Sequence, residues 1–488
     1  MIKHCVIEIE DEVNIKMNNL DLAARKACVN AVKYFIPGAR YSAAFKLGRW
    51  DGTKSFATLG GRTYLNLLDR MLPILQEHGY DFEIADNRLR YELSLNTVTD
   101  QAHAHKVWPK GHERAGQQIL LRDYQVDVIN TFVENLQAVQ QVATGAGKTL
   151  ITATLSGLIE PYGRSIVIVP NKSLVEQTEI DYRNLGLDVG VLYGDRKEYD
   201  RTHTICTWQS LNVLDKKSKD ALDDDQASVF MQDLICLIVD EAHQSKAEIL
   251  LKLLTNNFRH IPIRWGLTGT IPEEEQDQMS LLTGIGPNVG DLFAHELQDR
   301  GVLAKCHVNV LQTRETVKYT NYQEELKFLT TDTDRIRWMA RMISAIKDSG
   351  NTLVLVDRIE TGKMLEEYIR GSTFISGAVK TKDRKEEYDN IAISDDQVLI
   401  ATYGVAAVGI NVPRLFNLVM LEPGKSFVRV IQSIGRGLRK AEDKDFVQIW
   451  DLTSTCKFSA KHLTKRKQFY TQAKYDFTVE KVDRTVVE

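Results

Sequence analysis

Short apolar runs of strand length alternate with helical stretches through most of this chain, and that alternation leaves it few folds. Residues 138–142, 165–169, 204–207, 234–239 and 265–267 form one series, and residues 352–356, 373–375, 398–401, 418–421 and 447–450 a second. A strand apolar on both faces must be covered on both faces, and helices between consecutive strands supply that cover in a parallel sheet. Two series predict two parallel-sheet α/β domains in tandem, joined near residues 299–305. No repeat at a solenoid period is present; the two series share a pattern and not a sequence.

The 488 residues suit about three domains, so something precedes or follows the pair. Residues 1–96 read as a small α+β domain, with a strand at 6–9, a helix at 20–35 ended by Pro37 and Gly38, and a second helix at 65–78 ended by Gly79. Residues 97–116 lose periodicity, collect His, Pro and Gly, and read as a linker. The first α/β domain is then expected at 117–300, the second at 301–455, and a basic, aromatic extension at 456–488.

With 43% apolar and 26% charged residues the composition is that of a soluble globular protein. Six scattered cysteines, with no CxxC pair and no His at metal-ligand spacing, read as reduced thiols of a cytoplasmic protein. The start of the chain alternates apolar and charged residues, and no run approaches the length of a membrane span, so neither export nor insertion into a membrane is expected.

A net charge of −4 argues weakly against a nucleic-acid partner, but local patches run the other way. Between Arg25 and Arg70 nine Lys and Arg face only Asp51 and Asp69, which is 9 − 2 = +7. Between Cys456 and Tyr475 six Lys and Arg occur with no acid, interleaved with Phe458, Phe469, Tyr470 and Tyr475. A solvated basic face accounts for either run equally well when it is taken alone.

Chemistry enters between the strand ending near Val142 and the helix beginning at Lys148, where Ala143, Thr144, Gly145, Ala146, Gly147, Lys148 and Thr149 follow one another. A glycine-rich turn there lets backbone N–H groups face phosphate oxygens at a helix N-terminus, where the helix dipole also favours anions. Lys148 then reaches the β- and γ-phosphates of ATP, and Thr149 holds Mg²⁺. The full pattern has Gly where this chain has Val142. A rival triplet, Gly424-Lys425-Ser426, follows Pro423 without a glycine-rich approach and reads as a loop.

About 90 residues on, the apolar strand 234–239 delivers Asp240, Glu241, Ala242 and His243 at its carboxyl end, the edge where ligands sit in such sheets. Asp240 suits the Mg²⁺ ion, and Glu241 suits the water that attacks the γ-phosphate. In the second domain Gln432, Arg436 and Arg439 fall on one helical face, and an arginine brought from another domain stabilises phosphoryl transfer only when a cleft closes.

In this order the segments resemble the motif set of superfamily 2 DEAH-box helicases across roughly residues 119–455. The resemblance implies two RecA-like domains, adenine reading by Arg122 and Gln125 in Arg122-Asp-Tyr124-Gln125, and DNA-strand contacts from Pro170 onward and at Thr207 and Gln209. It also implies a link between DNA and the second domain beginning at Thr402, and arginine fingers at Arg436 and Arg439. Thr268-Gly-Thr270 stands where the family has Ser-Ala-Thr, which leaves coupling through that motif open.

The N-terminal stretch from Ala39 through Trp50, Asp51 and Gly52 is similar to the small N-terminal domain of UvsW-type phage recombination helicases. There Trp50 among Lys46, Arg49 and Lys54 offers an aromatic platform between phosphate-binding charges, and a buried Trp50 in the core of a small domain is the competing reading. That similarity implies a helicase that unwinds or branch-migrates forked and junction DNA in recombination, repair and replication restart, with ATP and Mg²⁺. It further implies action as a monomer, recombination proteins as candidate partners, no membrane, and the host cytoplasm if the protein is phage-encoded. A restriction-type DNA translocase, an RNA helicase and an ATP-gated binding or annealing module stand as alternatives. Removal of residues 1–96 is expected to leave a working ATPase core.

Overall fold

The computed structural model describes residues 3–36, 38–110, 114–219, 230–246, 248–377, 394–405, 414–424, 435 and 443–484. The chain divides into two compact units, one of residues 1–140 and 149–291, the other of residues 292–488 with the short segment 141–148.

In the first unit β1 (Lys3–Ile9), β2 (Asn14–Asn18), β5 (Arg62–Tyr64) and β6 (Tyr80–Asp86) make a four-stranded sheet in the order β5-β2-β1-β6. Burial alternates along β1, with Cys5, Ile7 and Ile9 inward, as a strand with one wet face requires. The helices Leu22–Ala31 and Leu68–Glu77 close the inner face through Ala24, Cys28, Met71 and Leu75. Asp21 caps the first helix by accepting from the Ala24 N–H at 2.8 Å. That helix stops at Ala31 and not at residue 35, because the β-branched and aromatic run Val32 to Phe35 turns into strand β3 (Lys33–Phe35), paired with β4 (Thr53–Ser55).

The same unit holds a sheet in the order β10-β9-β11-β8-β12-β13-β7-β14. Its strands are β7 (Gln137–Val142), β8 (Arg164–Val169), β9 (Val189–Tyr193), β10 (Arg196–Lys197), β11 (His203–Thr207), β12 (Leu234–Asp240), β13 (Ile263–Thr268) and β14 (Asn288–Leu292). β9, β11, β8, β12 and β13 run parallel, with β10 an antiparallel edge. The stretch 97–116, read as a linker, lies against this sheet's helices: the Val98 N–H donates to Asn130 at 2.7 Å, and His103 shares a hydrogen bond with the Thr154 hydroxyl at 2.8 Å.

In the second unit β15 (Lys305–Thr313), β16 (Thr352–Val356), β17 (Ser372–Ile375), β18 (Val398–Thr402), β19 (Asn417–Leu421), β20 (Phe446–Ser454) and β21 (Asp476–Val482) form one sheet in the order β17-β18-β16-β19-β20-β15-β21. Every pairing in it is parallel. Residues 456–484, the basic and aromatic extension, are built into this unit. The helix Lys457–Gln472 buries Leu463, Arg466, Phe469 and Tyr470, and β21 then extends the sheet beside β15. Arg466 is fully enclosed with Nε and Nη2 on Asp451, at 2.8 and 2.9 Å, and Nη1 on the Gly424 carbonyl at 2.8 Å, and Tyr470 donates to the same Asp451 carboxylate.

All six cysteines are free, and five are buried. Burial pushes the Cys5 thiol up to about 11 and Cys306 up to about 12, away from reactive thiolate character. Among the described residues no helix is long and apolar enough to cross a membrane.

Candidate functional site

β7 ends at Val142, and the helix Lys148–Ile159 begins six residues later. In the intervening turn Gly145 and Gly147 hold φ of +90° and +82°, the left-handed region that L side chains avoid. The Ala146 N–H closes the turn on the Ala143 carbonyl at 3.2 Å. These two glycines shape a loop whose backbone leads straight into a twelve-residue helix, with Lys148 and Thr149 in its first turn. Val142 is fully buried as the last residue of the strand, so its place is in the sheet and outside the turn proper.

β12 and β7 are separated in the sheet by β13 alone. Asp240 closes β12, and its Oδ1 accepts the Glu241 N–H at 2.9 Å. Glu241 itself sits at φ +54°, an uncommon conformation for a side chain of this size and one that holds strain of about 1–3 kcal/mol. The sharp turn it makes sends Ala242 and His243 back into the core, where both are buried.

His243 explains what the Thr268-Gly-Thr270 segment does. Its Nδ1 lies 3.0 Å from the Thr268 hydroxyl at the end of β13 and 3.4 Å from the Glu241 carboxylate. Thr268 in turn donates to the Thr270 carbonyl at 2.9 Å, and its oxygen accepts the Thr270 N–H at 3.3 Å. One imidazole therefore touches both the acidic turn and the threonine turn of the neighbouring strand. Thr268→Val keeps the volume and removes the hydroxyl, leaving His243 with one partner fewer in a buried place. DNA-stimulated ATP hydrolysis should fall by less than about tenfold while strand unwinding falls by more, and an equal loss of both would show that the contact does not couple them.

Ahead of β7, the Arg122 N–H donates to Gln125 Oε1 at 3.0 Å and the Arg122 guanidinium donates to the Tyr124 hydroxyl at 2.8 Å. Tyr124 and Gln125 are buried, so the turn that would read adenine is packed into the domain. Pro170 follows the end of β8 and is half-buried; the next residue, Asn171, caps the helix Lys172–Asn184. At the end of β11 Thr207 is buried with its hydroxyl on Ser210 at 3.0 Å, whereas Gln209 is exposed. β8, β11, β12 and β13 are parallel, so Pro170, Thr207, Asp240 and Thr268 line one edge of one sheet. In the second unit Thr402 ends β18 half-buried, and its hydroxyl accepts the Val405 N–H at 3.4 Å. Gln432, Arg436 and Arg439, and Lys425 and Ser426 of the rival triplet, lie outside the described residues.

The N-terminal basic patch differs in detail from its sequence reading. Lys46 and Arg49 are exposed, but Trp50 is half-buried with its indole N–H donated to the Thr53 carbonyl at 2.8 Å, and Lys54 pairs with Glu248 at 3.5 Å. Tyr41 is the most exposed ring nearby, ahead of Phe35. Sequence reasoning singled out neither Tyr41 nor the Thr268 hydroxyl as site residues; ring exposure and a contact between neighbouring strands are properties of the folded chain.

Residues 118–273 match the family model of the type III restriction enzyme res subunit, and residues 334–441 match the helicase conserved C-terminal domain. The ATP-dependent DNA helicase UvsW of Enterobacteria phage T4 is 24% identical over 456 residues, 88% of this chain and 87% of that protein. The DNA 3′-5′ helicase XPB of Kineococcus radiotolerans is 23% identical over 377 residues, 74% of this chain and 65% of that protein. Among solved structures, the type ISP restriction-modification enzyme LlaBIII bound to DNA aligns with a TM-score of 0.57 at 15% identity, over 86% of this chain and 36% of that one. At that identity the last likeness speaks to the fold alone.

Proposed function

The chain belongs to the superfamily 2 helicases and is an ATP-dependent DNA helicase, and from that premise we propose that it unwinds or branch-migrates forked and junction DNA. ATP is bound by the loop after β7, with Lys148 on the β- and γ-phosphates and the N–H groups of residues 144–149 around them. Mg²⁺ favours few protein oxygens and several phosphate oxygens, and one hydroxyl from Thr149 with one carboxylate from Asp240 fit that preference. When bound, the ion neutralises charge on the transferred phosphoryl group.

Glu241, in the turn at φ +54° and with its carboxylate 3.4 Å from His243, accepts the proton of the attacking water. Arg122 and Gln125 hold the adenine, and Arg436 and Arg439 supply positive charge from the second domain. DNA strands pass the edge carrying Pro170, Thr207 and Gln209 and reach Thr402, and the N-terminal domain holds the branch with Lys46 and Arg49. The enzyme acts as a monomer in the cytoplasm of its host.

The observation that carries the fork reading is that the N-terminal domain, with its basic stretch 25–70, is packed onto the first helicase domain. Asn14 Nδ2 donates to the Thr255 carbonyl at 3.1 Å, and Asn66 Nδ2 to the Leu282 carbonyl at 3.0 Å. A DNA contact made by this domain is thereby held at a set distance from the strand-binding edge, which suits a substrate with two arms. ATP hydrolysis should be measured with single strands, duplexes, forks, four-way junctions and RNA as activators. Forks and junctions should stimulate most; equal stimulation by linear single strands removes the branch preference, and stimulation by RNA alone makes this an RNA helicase. Binding without turnover on every activator would make it an ATP-gated binding module.

A further inference from the structure

The loop between β3 and β4 is held together by several of its own side chains. Phe35 and Phe45 meet edge to face at 5.9 Å, and Gly52, at φ +79°, packs so closely that a Cβ there would lie 2.5 Å from the Phe35 ring. Asp51 accepts the Thr53 N–H at 3.0 Å and pairs with Lys33 at 2.7 Å, while Trp50 spends its N–H on Thr53. Arg40 lies over the Phe35 ring at 5.6 Å. Tyr41 does none of this: it stands on the turn Ala39–Tyr41 at 83% exposure, the largest value among the large apolar side chains described.

Around it the charges are of one sign. Arg40, Lys46 and Arg49 are exposed, Leu47 is 64% exposed, and the one acid of the loop, Asp51, is already paired with Lys33. An exposed aromatic ring on a turn, with exposed cations at positions 40, 46 and 49 of the same loop, suits a polyanion with flat apolar faces. Unpaired bases of nucleic acid have both, and every base offers a face to stack on. We propose that Tyr41, and not Trp50, is the ring that stacks on an unpaired base where a single strand leaves the duplex, with Arg40, Lys46 and Arg49 on the flanking phosphates. The assignment rests on the fork reading above and names the contact through which the N-terminal domain would achieve it.

The test uses the full chain with Tyr41→Ala, Tyr41→Phe and the triple variant Arg40→Ala, Lys46→Ala, Arg49→Ala. Tyr41→Ala should weaken binding to a fork by about tenfold or more and leave blunt duplex binding, thermal melting and DNA-free ATP hydrolysis as in the wild type, because the ring supports no core. Tyr41→Phe keeps the stacking face and should restore fork binding. If Tyr41→Ala binds forks normally while the triple variant does not, the stacking assignment falls and the grip by charge survives. If neither variant changes fork binding, both the assignment and the N-terminal grip fall. A lowered melting temperature in Tyr41→Ala, or no rescue by Phe, also overturns it.

Discussion

Lys148→Ala should yield a folded protein that still binds forked DNA but hydrolyses ATP at least about a hundredfold to a thousandfold more slowly than the wild type. The lysine is in the first turn of the helix Lys148–Ile159, directly after the two left-handed glycines, and the proposed mechanism gives its ammonium group to the phosphates. Glu241→Gln separates binding from chemistry. The amide keeps the shape of the acidic turn but cannot take a proton from water, so ATP should bind with near-normal affinity and persist unhydrolysed. Lys148→Ala should instead weaken ATP binding along with turnover. Nucleotide affinity by fluorescence and single-turnover hydrolysis on both variants separate the two roles. Substantial turnover by Lys148→Ala would remove the loop after β7 as the ATP site, and wild-type turnover by Glu241→Gln would move the base to another residue.

The parts of this enzyme legible from the sequence are those whose meaning is local. A glycine-rich turn before Lys148 and an acidic pair after an apolar strand state their chemistry within a few residues, and both stand at the strand ends that the apolar runs predict. What was illegible depends on neighbours far along the chain. The bond from His243 to Thr268 exists because β12 and β13 are adjacent, with Asp240 beside Leu267 in register. The C-terminal helix shows only its charge in the sequence: Lys457, Lys461, Lys465 and Lys467 are on the wet side and read as a basic extension, whereas Ser459, Leu463, Arg466 and Tyr470 follow helical spacing on the buried side. A buried Arg466 looks like one more surface charge until Asp451 is seen to meet it. The helix expected to reach residue 35 failed for a simpler reason, since Val32 and the aromatic pair after it prefer an extended chain.

The same buried-charge argument reverses the expectation that residues 1–96 can be cut away. Arg264 is a charged residue in the apolar strand β13, fully enclosed, donating to the carbonyls of Phe258 and Leu254 at 2.6 Å and to that of Gly284 at 2.6 and 3.1 Å. Carbonyls satisfy its N–H groups but carry no charge, and burial pushes this guanidinium down to about 9. The carboxylates whose charge favours it, Asp11 and Glu12, belong to the N-terminal domain and are buried; they act across a distance, since Asp11 pairs with Arg259 at 3.5 Å and Glu12 with Arg88 at 3.3 Å. The apolar contact crosses as well, since Met279 is part of the N-terminal core, with Leu251 and Leu282 against it. Truncation to residues 97–488 therefore exposes that apolar surface and removes the countercharge beneath the strand that ends in Thr268. Loss of the apolar contact together with that countercharge draws on the roughly 5–15 kcal/mol by which a domain is stable. The truncated chain should melt early, resist purification as a monodisperse species and lack DNA-stimulated ATP hydrolysis. In the full chain, Asp11→Asn with Glu12→Gln leaves the apolar contact in place and should lower the melting temperature by several degrees, at about 2–4 °C per kcal/mol for a unit of this size, with fork binding by the folded protein intact. A truncated protein with an unchanged melt and a working ATPase would make residues 1–96 an independent module, and an unchanged melt in the double variant would show that the carbonyls alone suffice for Arg264.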